Sequence, residues 1–410
     1  MNKMHGNIFW NEKVDIIHKY PYLSKNRKCD VLIIGGGIGG ALTAYVQAKQ
    51  GAKVIVAEKN ILGYGTTLET NGVLEARVDF NNKIGKSLTD KQINKCNSLC
   101  ADAIKEIENI INELKIDEEC KKYMDKLEDR KLDLMYYSEK ITGKINMFKT
   151  FEKLGKENKE IEYLEEDPLI NLRTGIIFPD DAYFFNPYLL TELIFFYLSK
   201  FENVEIYENT PVVNIVPKDD VVESITSNKF KIYSRNVILT NGINALEYLK
   251  DDSITLNKTF TIITDACHEL DENIIDVVGV DVNIPNTMIS FTKDKRNIIS
   301  SEDTNQTEKM VDEKYFYNFA NGKYRKLFFD LKRLLNLKND FKVTNCFSGR
   351  YLETKDSLPI IDEIDRMPNV YCNLTVGKNG IVHSMIGAKM LKDICKQYHV
   401  KDMYLFRENR

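Results

Sequence analysis

The chain has 410 residues, 43% of them apolar and 29% charged, with a formal net charge of −4. That length is too great for one ordinary compact core and implies two domains, while the composition is that of a globular protein. The mildly acidic balance offers no general attraction to phosphate backbones or anionic lipid, so nucleic acid is not an expected partner.

Residues 1–27 are polar and aromatic without a clear period, and are expected to form a leader packed on the surface. They lack a basic stretch followed by an apolar one, so no secretory signal is read there. Asp30–Ile34 is a short apolar, β-branched run, the pattern of a buried parallel strand. Gly35–Gly40 and a helix to Gln50 follow. Gly51 terminates that helix, and Lys53–Ala57 is a second buried strand that runs into Glu58.

Residues 89–130, rich in Lys, Glu, Ile and Leu, are expected to be mainly helical with a solvated charged face. Asn186-Pro187 starts a further helix, with the proline tolerated in its first turn. The stretch Phe184–Phe201 is the most apolar long segment, but Pro187, Glu192 and Lys200 interrupt it, which favours a buried helix over a membrane span. Val204–Tyr207, Val212–Val216, Val221–Thr226, Phe230–Tyr233 and Val237–Thr240 are expected as strands of a small meander, separated by turns such as Lys218-Asp219-Asp220. Strands are expected over 255–300, a helix over 308–336, a last strand at Val370–Leu374, and a helix from Ile381 to about Tyr398.

The eight cysteines, Cys29, Cys96, Cys100, Cys120, Cys267, Cys346, Cys372 and Cys395, form no Cys-x-x-Cys pair. Scattered so, they are expected as reduced, mostly buried thiols in a cytoplasmic protein. Cys96 and Cys100 are expected to share a helix face, but no histidine stands near in sequence, and no metal site is expected.

The motif Gly35-x-Gly37-x-x-Gly40 carries the chemistry. The first glycine allows the tight strand-to-helix turn, the second lets backbone approach a pyrophosphate, and the third lets helix pack on strand. The helix N-terminus then offers free N–H groups and partial positive charge to phosphates. Glu58 closes the next strand at the spacing where a carboxylate meets ribose hydroxyls. An acid there suits NAD as well as FAD, so the βαβ unit alone does not choose. The chain has no second such glycine unit, which argues against a separate nicotinamide site.

From about residue 28 to the C-terminus the chain resembles the D-amino acid oxidase (DAO) superfamily of flavoproteins, which includes glycine oxidase and sarcosine oxidase. Four stretches carry the resemblance: the dinucleotide unit; Gly63-Tyr-Gly-Thr-Thr-Leu-Glu-Thr-Asn-Gly-Val-Leu74; Thr210–Ile215 with Val237–Gly242; and Ser348-Gly-Arg-Tyr-Leu-Glu-Thr-Lys-Asp-Ser-Leu-Pro-Ile-Ile361 with Pro368–Tyr371 and Val376–Ile381. The resemblance implies an α/β architecture: a Rossmann-like (ββα) FAD-binding domain from 28–88, 158–245 and 342–405, with an antiparallel-sheet substrate domain inserted at 89–157 and 246–341.

It also implies roles. Gly35, Gly37, Ile38, Gly39 and Gly40 would cradle the pyrophosphate of FAD, and Glu58, with Lys59 beside it, would hold the adenosine ribose. Thr66 and Thr67 would contact phosphate or the flavin side chain, and Asn71, Gly72 and Val73 would line the isoalloxazine. Val212 would meet the adenine, with Asn241 and Gly242 nearby. Gly377, Asn379, Gly380 and Ile381 would bring a helix N-terminus to flavin N1 and O2, where reduced flavin carries negative charge. Arg350 would grip a substrate carboxylate by two parallel hydrogen bonds, with Lys378 in the same pocket; the competing reading for Arg350 is a structural ion pair with Glu353 or Asp356. His383 is expected as a packed, non-catalytic histidine.

The sequence departs from the family at Leu68-Glu69-Thr70, where Glu69 brings a charge to the flavin loop. The implied activity is oxidation of the carbon–nitrogen bond of a small amine or amino acid, with electrons passed to oxygen, a quinone or a protein. A 2-hydroxy acid or glycerol-phosphate dehydrogenase of the same fold, and a non-catalytic flavin-binding sensor or subunit, are the alternatives.

Overall fold

The computed structural model describes residues 6–12, 14, 16–78, 80, 82–155, 160–165, 174–251, 253–267, 270, 272–283, 287–305, 307, 310, 312–336 and 341–410. The domain boundary expected at 157–158 and the first residues of the helix expected at 308 lie outside them.

In chain order the elements are β1 (Gly6–Asn7), β2 (Arg27–Ile34), α1 (Ile38–Ala48), β3 (Val54–Ala57), β4 (Val73–Glu75), α2 (Asn82–Ser87), α3 (Asp90–Ile116), β5 (Arg130–Ser138), α4 (Ile141–Gly155), β6 (Glu162–Leu164), β7 (Thr174–Phe184) and α5 (Pro187–Leu198). There follow β8 (Val204–Tyr207), β9 (Val212–Pro217), β10 (Val222–Thr226), β11 (Lys231–Leu239), β12 (Thr255–Ala266), β13 (Val277–Asp281), β14 (Met288–Phe291), β15 (Arg296–Asn305), α6 (Glu313–Leu334), β16 (Val343–Glu353), β17 (Ile360–Glu363), β18 (Val370–Leu374) and α7 (Gly380–Ile394).

One sheet runs β17-β18-β11-β2-β3-β8, and from β18 to β8 the strands are mutually parallel, with β17 antiparallel at the other edge. The apolar runs of β2 and β3 are buried on both faces, as parallel strands flanked by helices must be. Helix α1 is buried nearly all round because it packs against both α5 and α7 as well as the sheet. Asn186 caps α5, its Oδ1 accepting from the Leu189 amide at 3.0 Å, and Pro187 begins the helix. Thr89 and Gln92 form a capping box at the start of α3. On α3, Cys96 and Cys100 share the buried face, and none of the eight cysteines forms a disulfide.

The expected meander is corrected in two respects. Val204–Tyr207 leaves it, pairing in parallel with β3 at the far edge of the sheet. Phe230–Tyr233 and Val237–Thr240 are not two strands but one, β11, which is long enough to pair with β10 at its start and with β2 and β18 further on. The polar break at Ser234-Arg235-Asn236 misled the reading: Ser234 is wholly buried and continues the ladder.

The second sheet, ten-stranded among the described residues, runs β1-β16-β12-β15-β14-β13-β5-β7-β4, with β6 on β7. It is antiparallel except where β13 runs parallel to β5. Strands β4, β7 and β16 come from stretches expected in the cofactor domain and yet hydrogen-bond into this sheet. The segment expected as a surface leader is likewise drawn inward. Trp10 is 1% exposed and Leu23 wholly buried: β1 pairs with β16, and the two side chains join two different apolar clusters. Among the described residues no helix is long and apolar enough to cross a membrane.

Candidate cofactor and substrate cavity

Strands β2, β3, β8, β11 and β18 all end at one edge of the parallel sheet, where such folds open a crevice. A cavity of about 1050 Å³ lies there. At its phosphate end the chain leaves β2 at Gly35, whose φ of +118° and contact with the Thr240 carbonyl both exclude a side chain. Gly37 caps α1 without a side-chain acceptor, and the helix carries no acid in its first turn, so no carboxylate of the helix itself offsets the dipole at the end lining the cavity. The Ile38 amide donates to Thr67 Oγ1 at 3.0 Å. The Gly36 amide donates to Glu58 Oε2 at 2.7 Å and the Asn60 amide to Glu58 Oε1 at 2.8 Å, so Glu58, expected at the adenosine ribose, also braces the glycine turn.

Of the expected cofactor residues, Gly35, Gly37, Ile38, Gly39, Glu58, Lys59, Thr66, Thr67, Asn71, Val212, Asn241, Gly242, Gly377, Gly380 and Ile381 line this cavity, as do Arg350 and Lys378. Four do not, each for a packing reason. A Cβ on Gly40 would lie 1.9 Å from the Gly35 carbonyl oxygen, so that glycine seats α1 on β2. Gly72 is pressed against the Phe185 carbonyl and the Trp10 ring, and Val73 is a core residue. Asn379 instead ties α7 to β4, its Nδ2 donating to the Glu75 carbonyl at 2.8 Å and its Oδ1 accepting from the Glu75 amide at 3.2 Å.

The sequence reading missed the far wall. Thr259, Thr261 and Ser300 line the cavity from the antiparallel sheet, with Tyr351 beside them. The alternation Thr259-x-Thr261 was the available signal, but a strand does not announce what its face meets. Cross-strand register places Asn257 opposite Tyr351, Lys258 opposite Arg350 and Thr259 opposite Gly349.

Arg350 is not positioned as expected. Its amide points away from β12 and donates to Glu69 Oε2 at 3.1 Å; its Nε reaches the same oxygen at 3.3 Å and its Nη2 reaches Oε1 at 3.1 Å. Glu69 is 4% exposed and Arg350 20%. The ion pair anticipated with Glu353 or Asp356 is thus made with Glu69, while Asp356 is held by Arg410 at 2.7 Å. Lys258 lies behind, its Nζ 4.3 Å from the centre of the Phe316 ring, and burial with the nearby Arg350 charge pushes its pKa down. Lys378 pairs with Asp303 at 3.0 Å. The Glu75 carboxyl is raised by burial, opposed by the Tyr136 hydroxyl, which donates to it at 2.9 Å, and by the Lys378 charge. His383 is buried in α7 with Nδ1 3.0 Å from the Val376 carbonyl; since a carbonyl only accepts, Nδ1 carries the proton. Burial lowers its pKa to about 4, in keeping with a neutral packing histidine.

FAD fits the residues present. The cavity joins a glycine cradle and two helix N-termini to a polar sheet face, and Asn241 Oδ1, on its wall, is buried without a hydrogen-bond donor. Among the described residues no group of three or more His, Cys, Asp or Glu could hold a metal ion.

Known proteins agree. A family model described as FAD dependent oxidoreductase, DAO, matches residues 30–394. The glycine oxidase of Geobacillus kaustophilus superposes with a TM-score of 0.75 at 18% identity, over 94% of this chain and 99% of that one. The L-amino acid deaminase of Proteus myxofaciens, solved with anthranilate, gives 0.73 at 14% identity, over 100% of this chain and 99% of that one. A protein of Bacillus subtilis (strain 168) named as a candidate Rieske 2Fe-2S iron-sulfur protein, YhfW, is 39% identical over 72 residues, which is 18% of this chain and 14% of that protein's length. The cavity's architecture and the match along most of its length together show that the chain belongs to the DAO family of FAD-dependent oxidoreductases.

Proposed function

We propose that the chain oxidises the carbon–nitrogen bond of a small amine or amino acid. The observation that carries this reading is the continuity of one cavity from the dinucleotide cradle at Gly35–Gly39 to the polar, uncharged face of Thr259, Thr261 and Ser300. A small polar molecule seated on that face meets the inner end of the cofactor channel. The similarity to glycine oxidase and to an L-amino acid deaminase supports a nitrogen-bearing substrate.

When bound, FAD would supply acceptance of a hydride from the carbon bearing nitrogen; one proton is lost from the nitrogen, and water hydrolyses the resulting imine to a carbonyl compound and an amine or ammonia. The chain's part is position and field. Glu58 and the α1 N-terminus would hold the ribose and pyrophosphate, and Thr67 ties its own loop to the start of α1. The α7 N-terminus, reached through Gly377 and Gly380, stabilises negative charge at the inner end of the cavity. Hydroxyls on β12 and β15 orient the substrate, so catalysis rests on orientation rather than on a strong protein base.

The test is the visible spectrum of the purified protein followed by anaerobic mixing with amines, amino acids, N-methyl amino acids and hydroxy acids. Bleaching by an amine or amino acid is expected. Bleaching by hydroxy acids alone would replace the substrate class, and a flavin bleached by none of them would mark a non-catalytic flavin-binding protein.

A further inference from the structure

Resting on that reading, we infer that the substrate is an amine without a carboxylate group. Among the described residues three cations line the cavity, Lys59, Arg350 and Lys378, and Lys59 stands at the adenosine end beside Glu58. The two at the inner end are already matched by carboxylates of the same chain. Arg350 directs three donors at Glu69, and Lys378 is 3.0 Å from Asp303. A substrate carboxylate would have to displace Glu69, whose side chain is 4% exposed, and leave it charged and buried without its partner. Removing one partner of a buried pair weakens a complex by about a hundredfold or more. Lys258 does not relieve this, because it does not line the cavity and its ammonium lies over the Phe316 ring.

What the inner end leaves open is uncharged: the hydroxyls of Thr259, Thr261 and Ser300 line it from the antiparallel sheet. A hydroxyl oxygen accepts from the N–H of an amine, but with both nearby cations already paired it cannot match the full charge of a carboxylate. Glu69 and Asp303 are thereby specificity-determining residues: the first occupies the arginine that a carboxylate would need, and the second occupies the lysine.

The test compares pairs that differ only by the carboxylate, benzylamine with phenylglycine and ethylamine with alanine, in anaerobic reduction of the FAD-loaded enzyme. The amine of each pair is expected to have a kcat/KM at least about a hundredfold above its amino acid. Glu69→Gln frees Arg350 and is expected to narrow that gap tenfold or more, with benzoate perturbing the flavin spectrum of the variant at lower concentration than that of wild type. An amino acid that equals or exceeds its amine, or benzoate bound as tightly by wild type as by the variant, overturns the inference while leaving carbon–nitrogen oxidation standing. If no member bleaches the flavin, the proposed reaction falls. Binding then decides the inference: benzylamine perturbing the wild-type spectrum more tightly than benzoate upholds it, and any other result overturns it. Should Glu69→Gln fail to fold, the wild-type pairs suffice.

Discussion

Glycines three residues apart can do unlike work, and Gly37 and Gly40 show it. A Cβ on Gly37 would lie 3.0 Å from Thr67 Oγ1, at the mouth of the cavity, whereas one on Gly40 would collide with the Gly35 carbonyl at 1.9 Å. Backbone cannot yield by more than an ångström without moving α1 off β2. Gly40→Ala is accordingly expected to cost about 3 kcal/mol or more of stability and to release FAD. Gly322→Ala is the contrast: that glycine lies inside α6 with nothing within 4 Å of its added carbon, and substitution is expected to stabilise by about 0.5–1 kcal/mol. Thermal melts and the flavin content of the two purified variants check both signs. At this scale the motif was legible because a glycine pattern encodes a local geometry. Glu69 was legible only as an odd charge; its partner is 281 residues away, and no local rule connects them.

Among elements, the N-terminal segment departs most from its expected form. Its residues are held one after another by distant acceptors: Trp10 Nε1 donates to the Thr70 carbonyl at 2.7 Å, Ile17 N–H to Glu192 Oε2 at 3.4 Å, Tyr20 N–H to Glu208 Oε2 at 3.2 Å, and Leu23 N–H to Thr210 Oγ1 at 3.0 Å. The first of these braces the loop that carries Thr66 and Thr67 to the cavity. The segment has no internal period because it satisfies its backbone on other elements rather than within itself. Glu192, on α5, reports on this strap. Burial, reinforced by the Glu208 charge, raises its pKa from 4.5 to about 7 against the Ile17 hydrogen bond. A carboxyl raised in the folded state stabilises the fold fully below the unfolded value, and that contribution is lost as pH rises from about 4.5 through about 7. Glu192→Gln, which stays neutral, is therefore expected to match wild type at pH 4.5 and to exceed it by ~3 kcal/mol at pH 8, measured as chemical denaturation midpoints at the two values.

In the whole molecule, the cavity is walled by both sheets, so the cofactor-binding residues and the far wall at Thr259, Thr261 and Ser300 order one another. A ligand that binds only this assembled state stabilises the fold by mass action. Stripping FAD and restoring it at a hundred times its dissociation constant is expected to stabilise the whole chain by about 2.7 kcal/mol, seen as a single raised melting transition. A melt in which only part of the signal moves would show that the two sheets unfold independently.

The amino-acid sequence by itself determined the elements whose signals are local. These are the buried strands β2 and β3, the glycine turn and α1, the Asn186-Pro187 start of α5, and the helix α7, and with them the cavity wall at Gly35–Gly39 and Glu58. Tertiary structure alone decided three things. Ser234 is carried through β11 because neighbouring strands on either side of the break extend the ladder past it. Thr259 and Thr261 face the cavity because β16 and β15 set the register of β12. Arg350 is paired with Glu69 because the short helical loop that carries Glu69 packs beside β16 when the sheets close. Periodicity and capping act over a few residues, but charge pairing and the facing of a strand depend on which distant segment arrives next to it.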